Sequence, residues 1–194
     1  DDEAGKLINF VRGIDAYDEN KDLNTADERE WKLGDIYHSE MAVVGPPDAI
    51  DVELAGDTNT EEYFKLHNRY QAFVDANASR ETMVYVGAND GMLHAFKDST
   101  GEELWAFIPP NVLPKLRSMV SGAEHVTIPI YGVDGSVVVK DVFTGGRWRT
   151  LLMAGLGREG YGYFALDVTN PSSPSFLFAF GNDPQNQVIH HWDS

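Results

Sequence analysis

The stretch MVYVGANDGMLHAFKDSTGEELWAFI, residues 83–108, decides the fold of this 194-residue chain. Three runs of strand-forming residues in it are separated by two turn signals, NDG at residues 89–91 and STG at residues 99–101. Glycine suits such tight turns because it accepts positive φ without steric cost. The stretch therefore predicts a three-stranded antiparallel meander, closed at its end by Pro109 and Pro110.

A second group of strand-forming runs follows, again bounded by turns that contain glycine or proline. The runs cover residues 136–143, 148–154, 161–168 and 176–180. Two similar meanders separated by roughly fifty residues are typical of repeated propeller blades. We therefore predict a mainly β fold, a partial β-propeller, with an ordinary β-sandwich as the alternative.

Short helices are expected around the meanders. Apolar residues recur at helical spacing over residues 4–11 and stop at Gly13. A second helix is predicted over residues 60–75, with Thr58 placed as the start of a capping box. A helical stretch over residues 112–120, capped by Asn111, is predicted between the meanders.

These patterns indicate one propeller domain over residues 1–194, in four segments. They are residues 1–80 with N-terminal helices, an acidic loop and a first strand region, the blade meander 81–110, the helical insertion 111–135 and the second blade meander 136–182. A propeller closes with about four to eight blades. We therefore expect the chain to be a fragment whose open sheet faces are covered by the rest of the propeller or by another chain.

Composition narrows the classes of function. The chain carries 31 acidic and 15 basic residues, for a net charge of −16, which disfavours nucleic acid and anionic membranes as partners. It contains no cysteine, so disulfides, thiolate zinc sites and cysteine nucleophiles are excluded. No apolar run approaches membrane-spanning length. The first residues, DDEAG, include neither an initiator Met nor a signal peptide, so we expect a mature fragment.

Four oxygen-bearing side chains alternate in the acidic loop, as at positions one, three, five and seven of a calcium loop. The candidate calcium ligands are Asp18, Asn20, Asp22 and Asn24. The pattern departs from that loop at Leu23, where a turn glycine belongs, and at Arg29, where a bidentate Glu belongs. A solvated acidic loop is the alternative to calcium.

Other motifs favour structural roles. The sequence GLGREG at residues 155–160 has dinucleotide-fingerprint spacing, but strand-forming residues follow it where a helix would be required, so we predict a turn. Asp35, His38 and Ser39 are too close in sequence for a catalytic triad and indicate a structured loop. His190 and His191 lie in a polar tail that we expect to fray.

Two further groups of residues have expected roles in turns and packing, and a third group has none. Asp134 and Asp167 are expected to accept turn amides. Trp31, Trp105 and Trp148 are expected to pack in the interior. His67, His94 and His125 are isolated in sequence and carry no assignment.

The first meander also carries a family resemblance. Residues 84–96 with TGEELW at residues 100–105 resemble a quinoprotein-type propeller blade, in which Leu93, Ala95 and Leu104 can face a neighbouring blade and Trp105 fills the space between blades. Blades of this type occur in dehydrogenases, outer-membrane assembly scaffolds and adhesins.

An ordered series of segments is more specific. The segments are LINFVRG at 7–13, WKLGDIYHS at 31–39, VVGPP at 43–47, VDG at 133–135, WRTLLMAGLG at 148–157 and GYGYFALDVT at 160–169. Together they resemble the C-terminal propeller of the type IV pilus tip-associated adhesin family, PilC/PilY. The sequence departs from that family at Glu40 and Met41, where a proline is usual.

The resemblance implies a non-enzymatic module for pilus biogenesis, extension and retraction control and surface adhesion, located extracellularly at the pilus tip or outer membrane. Pilins and minor pilins, and a host or abiotic surface, are the implied partners. A quinoprotein oxidoreductase and an outer-membrane assembly scaffold are the alternatives. The aspartate-rich calcium loop of the family lies beyond Ser194 in family order and corresponds to no residue of this chain.

Overall fold

The computed structural model describes residues 2–120, 128–157, 160–183 and 186–194, which form two antiparallel β-sheets and several short helices. The helices are α1 (Asp2–Val11), α2 (Glu61–His67) and α3 (Tyr70–Ala76), with 3₁₀ turns at Leu54–Gly56 and Leu113–Met119. The strands are β1 (Ala42–Val44), β2 (Met83–Gly87), β3 (Leu93–Lys97), β4 (Glu103–Phe107), β5 (Val137–Thr144), β6 (Arg147–Gly155), β7 (Gly162–Asp167), β8 (Ser175–Asp183) and β9 (Val188–Asp193).

The first sheet contains β1 to β4 in chain order, each antiparallel to its neighbour. Strands β2 and β3 pair in register from Met83 opposite Lys97 up to the first turn. Gly91 and Gly101 have φ of +86° and +73°, which a residue with a Cβ rarely adopts. The predicted meander is therefore confirmed, and β1 extends it to the four strands of a propeller blade.

The second sheet contains β5 to β9, also antiparallel and in chain order. The four predicted strands correspond to β5–β8, and β9 adds a fifth. The prediction of a frayed tail at His190 and His191 is wrong, because β9 is paired along β8 with His191 opposite Phe180. Most β9 side chains are exposed, so the sequence lacks the alternation that marks a half-buried strand.

The two sheets pack against each other around one apolar core. Leu93 and Ala95 are fully buried in it, and Leu104 packs against it. Trp105 lies between the sheets, and its Nε1 donates to the carbonyl oxygen of Pro171 at 2.7 Å. The predicted contact between neighbouring blades is therefore present.

The predicted helix over residues 60–75 is divided into α2 and α3. Arg69, between them, has φ of +58°, a left-handed conformation that interrupts helical hydrogen bonding. The Asn68 carbonyl, left outside the helical ladder, accepts from Trp148 Nε1 at 2.8 Å. Trp148 is buried as predicted, whereas Trp31 is 78% exposed and the prediction that it packs in the interior is wrong.

Two predicted helix caps are also wrong. The N-cap of α2 is Thr60, whose Oγ1 accepts a backbone amide at 3.2 Å, and not a box that begins at Thr58. The second 3₁₀ turn has Val112 as its N-cap. Asn111 instead reaches the second sheet, where its Nδ2 donates to the carbonyl oxygen of Phe180 at 3.3 Å.

Parts of two predicted features fall outside the described residues. These parts are residues 121–127 of the helical insertion, which include His125, and residues 158–159 of the GLGREG turn; residues 184–185, beyond the predicted meander, also lie outside the described ranges. None of the helices in the described ranges has the length and apolar character needed to cross a bilayer. The division of the chain into four segments of one domain stays a prediction.

A polar network links the two sheets through Arg80, which precedes β2. Its guanidinium donates to the Gly45 carbonyl through Nε at 2.9 Å and also through Nη2, and to Thr150 Oγ1 through Nη1 at 2.6 Å. Thr150 Oγ1 and the Tyr70 hydroxyl both donate to the Asp141 carboxylate, at 2.6 and 2.5 Å. Burial and the hydrogen bond to Asp141 raise the pKa of Tyr70 far above its ordinary value, so Tyr70 stays a neutral donor.

Candidate functional site

The turn between β2 and β3 is held from two sides by distant segments. Asn89 N donates to the carbonyl oxygen of Asp35 at 2.9 Å, and Ile130 N donates to the carbonyl oxygen of Asn89 at 2.9 Å. We call residues 34–39 the strap, because they cross the turn ends of both sheets. The turn, the strap and residues 129–131 together form the candidate site.

The strap is anchored to the first sheet by a buried acid–imidazole cluster. Asp90, only 4% exposed, accepts from Gly34 N at 2.8 Å and contacts His94 Nε2 at 3.1 Å. His94 Nδ1 lies 2.7 Å from Glu103 Oε1. Burial lowers the pKa of His94, but the hydrogen bonds and charges of Asp90 and Glu103 together raise it above the ordinary histidine value. Asp90 and Glu103 therefore favour the protonated form of the His94 imidazole.

Sequence reasoning left His94 unassigned, although it is the most enclosed ionisable group of this cluster. Asp90 and His94 are four residues apart, and Glu103 is nine residues further on. The available signal was the hairpin register, which places β4 beside β3 and brings Glu103 opposite Phe96, close to His94. Hairpin pairing thus could have suggested the contact between His94 and Glu103.

The strap is anchored to the second sheet through His38. Both His38 N and Nδ1 contact the buried Asp134 carboxylate, at 3.2 and 2.6 Å. Ser39 Oγ accepts from Gly87 N at 2.9 Å. The prediction of a structured loop at residues 35–39 agrees with these bonds. Among the described residues Asp134 accepts from the strap and from no turn amide, so its predicted role is wrong, whereas Asp167 accepts from Thr169 N as predicted.

Two clefts flank the point where the strap crosses the turn. One, of about 490 Å³, is lined by strap residues Asp35 to Tyr37, by Asn89 and by residues 129–131. The other, of about 380 Å³, has acidic residues from the 15–35 region in its lining and shares Asp35, Asn89 and Pro129. Asn89 is 7% exposed, and its Oδ1 has no hydrogen-bond partner among the described residues. An unpartnered buried acceptor is costly, and the turn encloses this one away from both clefts.

A larger, mainly apolar cleft of about 710 Å³ lies between α1 and the first sheet. Leu7, Ile8 and Leu104 line it, together with His94 and Glu103. The acid–imidazole cluster therefore borders this cleft on one side and the strap on the other.

The predicted calcium ligands lie in an irregular loop between α1 and the strap. Asn20, Asp22 and Asn24 each accept the amide two residues ahead, at 3.0, 2.8 and 3.2 Å. Asp18 Oδ1 accepts from Leu23 N at 3.1 Å. Within the described ranges, no three His, Cys, Asp or Glu side chains gather closely enough to hold a metal. Calcium at this loop stays a prediction.

If the loop binds calcium, isothermal titration should give a saturable heat that the double variant Asp18→Ala, Asp22→Ala abolishes, because two carboxylate ligands are lost. The double variant Asp57→Ala, Asp98→Ala removes the same charge elsewhere and should keep the heat. Equal heats in the parent and the Asp18/Asp22 variant would contradict a calcium site here.

Comparisons with known proteins agree with the propeller-like fold. The sequence matches the family described as the PilY1 beta-propeller domain over residues 33–190. Type IV pilus biogenesis factor PilY1 of Pseudomonas aeruginosa is 35% identical over 193 residues, 97% of this chain and 15% of that protein. The crystal structure of the Pseudomonas aeruginosa PilY1 C-terminal domain matches with a TM-score of 0.53 and 40% identity, over 72% of this chain and 25% of that one.

A shorter match concerns a quinoprotein ethanol dehydrogenase of Pseudomonas putida, 29% identical over 48% of this chain and 17% of that protein. It agrees with the quinoprotein-like character of the blades.

The two packed antiparallel sheets, bridged at their turns, define the chain as a β-propeller protein, and the comparisons decide against a β-sandwich. The chain belongs to the PilY1 beta-propeller domain family. It spans about 15% of the length of the PilY1 relative that it matches. The resemblance to the PilC/PilY family is confirmed.

Proposed function

We propose that the chain is a non-enzymatic binding and assembly module of a type IV pilus-associated adhesin. It acts at the cell surface in pilus biogenesis, in the control of extension and retraction, and in adhesion. The observation that carries the proposal is the PilY1 beta-propeller match over residues 33–190, which coincides with the two packed sheets. A relative that matches almost the whole chain is named a type IV pilus biogenesis factor.

A surface suited to protein partners supports the proposal. Along and just before the strap, Trp31, Leu33, Ile36 and Tyr37 expose apolar side chains next to one another in sequence. Exposed apolar and aromatic clusters with polar surroundings mark protein interaction sites. We assign this surface, the strap surface, to contact with pilins or minor pilins.

The outer face of the second sheet supports a second kind of contact, with the remainder of the same propeller. Val138 lies opposite Met153, and Tyr163 lies opposite Phe180, and all four side chains are exposed. Adjacent blades of a propeller pack their faces together, so this face suits another blade.

A pull-down with the tagged chain against sheared surface pili tests the proposal. We expect pilins or minor pilins to be recovered, and the double variant Trp31→Ala, Tyr37→Ala to reduce recovery about tenfold or more, since buried aromatic anchors contribute about 2 kcal/mol or more each. Leu23→Ala removes an exposed apolar side chain away from the strap surface and should leave recovery unchanged.

Recovery of outer-membrane assembly factors without pilins would instead favour the scaffold alternative. The quinoprotein alternative rests on the shorter dehydrogenase match. Its test is a redox titration of the chain with added quinone and an alcohol or sugar, in which turnover would contradict a non-enzymatic role.

A further inference from the structure

Strand β4 lies at the edge of the first sheet and has a neighbour on one side only among the described strands. Residues 103–108, which include all of β4, line the 710 Å³ cleft between α1 and this sheet. Side chains of a strand alternate between its two faces, so six consecutive residues line one cleft when the cleft runs along the backbone edge. The cleft therefore follows the open edge of β4.

The backbone of Ala106 faces this open edge. Lys97 N donates to the carbonyl oxygen of Glu102 at 2.9 Å. Because residues that bond to the same neighbour recur at every second position of a strand, Ala95 bonds to Trp105, its partner in the register. Ala106, the next residue along β4, therefore directs its N–H and C=O away from β3. Ala106 is exposed, and neither group has a hydrogen-bond partner among the described residues.

The equivalent edge of the second sheet is occupied by a strand. The pairing of β3 with β4 and the pairing of β7 with β8 each shift in register directly after an alanine, Ala95 in one and Ala165 in the other. Ala106 and Ala179 each lie opposite the residue just before that alanine, so they hold corresponding positions. Ala179 pairs with Trp192 of β9, the fifth strand. The edge of β4 therefore corresponds to an edge that accepts an added strand.

The segment after β4 turns away from the open edge. Pro109 and Pro110 follow β4 directly and lead into the second 3₁₀ turn, whereas β8 is followed by β9. Proline has no N–H and cannot continue a strand ladder as a donor. No described strand pairs with the open edge of β4, so a fifth strand at this place has to come from elsewhere.

We propose that an extended segment of a partner protein adds to β4 as a fifth, antiparallel strand. Such an addition uses main-chain hydrogen bonds for affinity and alternate side chains for specificity. The residue opposite Ala106 has its side chain on the same face as Ala106 and His94. These two residues line the cleft together with Leu7 and Ile8 of α1, so a large apolar side chain suits this position. Arg12 lines the same cleft, is exposed and has no ion pair with another described residue, so it suits a carboxylate on the segment.

Two observations favour a partner protein as the source of the strand. Leu33 of the strap surface also lines this cleft, so one partner can cover the strap surface and the edge of β4 together. A second copy of the chain is disfavoured, because each copy carries a net charge of −16. The inference rests on the proposed binding function and adds the type of contact that the partner makes.

Calorimetric titration of the chain with the peptide acetyl-Thr-Glu-Thr-Trp-Thr-Val-Thr-amide tests the proposal. We expect saturable binding that falls about tenfold or more when the amide nitrogen of the peptide Trp is methylated, because the N–H that bonds to Ala106 O is lost and the methyl group blocks approach. Methylation of the Thr nitrogen just before the Trp should leave the affinity unchanged, because that N–H faces away from β4.

The variant Ala106→Pro tests the same pairing from the side of the chain. It removes an N–H that the sheet does not use, so the fold should be retained, and peptide binding should fall about tenfold or more. Val43→Pro places a proline at an exposed position of β1, on the opposite edge of the same sheet, and should leave peptide binding unchanged.

Equal affinity for the two methylated peptides would overturn the proposal, and this comparison requires no variant to fold. Dimerisation of the chain that Ala106→Pro abolishes would assign the edge to a second copy and would also overturn it. Pilin recovery in the pull-down without any peptide binding would leave the proposed function standing and remove only the added strand.

Discussion

We expect the Arg80→Ala variant to unfold with a free energy about 3 kcal/mol below that of the parent chain. Three hydrogen bonds from a cationic group are lost, two of them to the Gly45 carbonyl. Thr150, which is buried, loses its donor, and the half-buried Asp141 loses the nearby positive charge. Because the network links both sheets, its loss weakens the contact between the sheets as well as the segment after β1 that contains Gly45.

Urea denaturation followed by circular dichroism measures this change, and the melting temperature should fall by roughly 6–12 °C for a chain of this size. Arg147→Ala provides the matched control. Arg147 begins β6 and is exposed, so its removal should change stability by less than about 0.5 kcal/mol. Equal losses of stability in the two variants would mean that the Arg80 network does not hold the two sheets together.

The second large effect concerns His94, and it depends on pH. We expect His94→Gln to lower the free energy of unfolding by about 3 kcal/mol at pH 6, because Asp90 is left enclosed without its cationic partner. The folded pKa of His94 lies above its unfolded value of about 6.5. Its contribution is therefore complete below pH 6.5 and is lost as the pH rises through the folded pKa.

Stability curves at several pH values between 5 and 9 therefore distinguish ionisation from packing. The difference between the parent chain and His94→Gln should shrink as the pH rises. His191→Gln, at an exposed histidine of β9, should show no such trend. A constant difference across the whole range would mean that His94 contributes through packing alone.

The sheets could be predicted because their signals are local. Glycine at residues 91 and 101 fixes the turns of the first meander, and the apolar runs beside them fix the strands. Arg69 shows the limit of such reasoning, since no glycine or proline marks the left-handed residue that divides α2 from α3. Its conformation accompanies a distant contact, between the Asn68 carbonyl and Trp148.

The candidate site could be predicted only in part, because its contacts join residues that are far apart in the sequence. The sequence predicts the turn at Asn89 and the structured loop at residues 35–39, but it does not predict that the loop contacts the turn. Asp90 and Gly34 are 56 residues apart, and His38 and Asp134 are 96 apart. No periodicity connects residues at such separations, so the strap could be found only from the folded structure.

The two anchors of the strap also have a consequence for the order of folding. The first sheet and Asp90 precede Asp134 and the second sheet in the chain. Until the second sheet docks, the first sheet has an exposed face and His38 lacks its partner. Exposed faces and unpaired edges in such intermediates favour aggregation, so docking of the second sheet ends the interval in which the chain is most prone to aggregate.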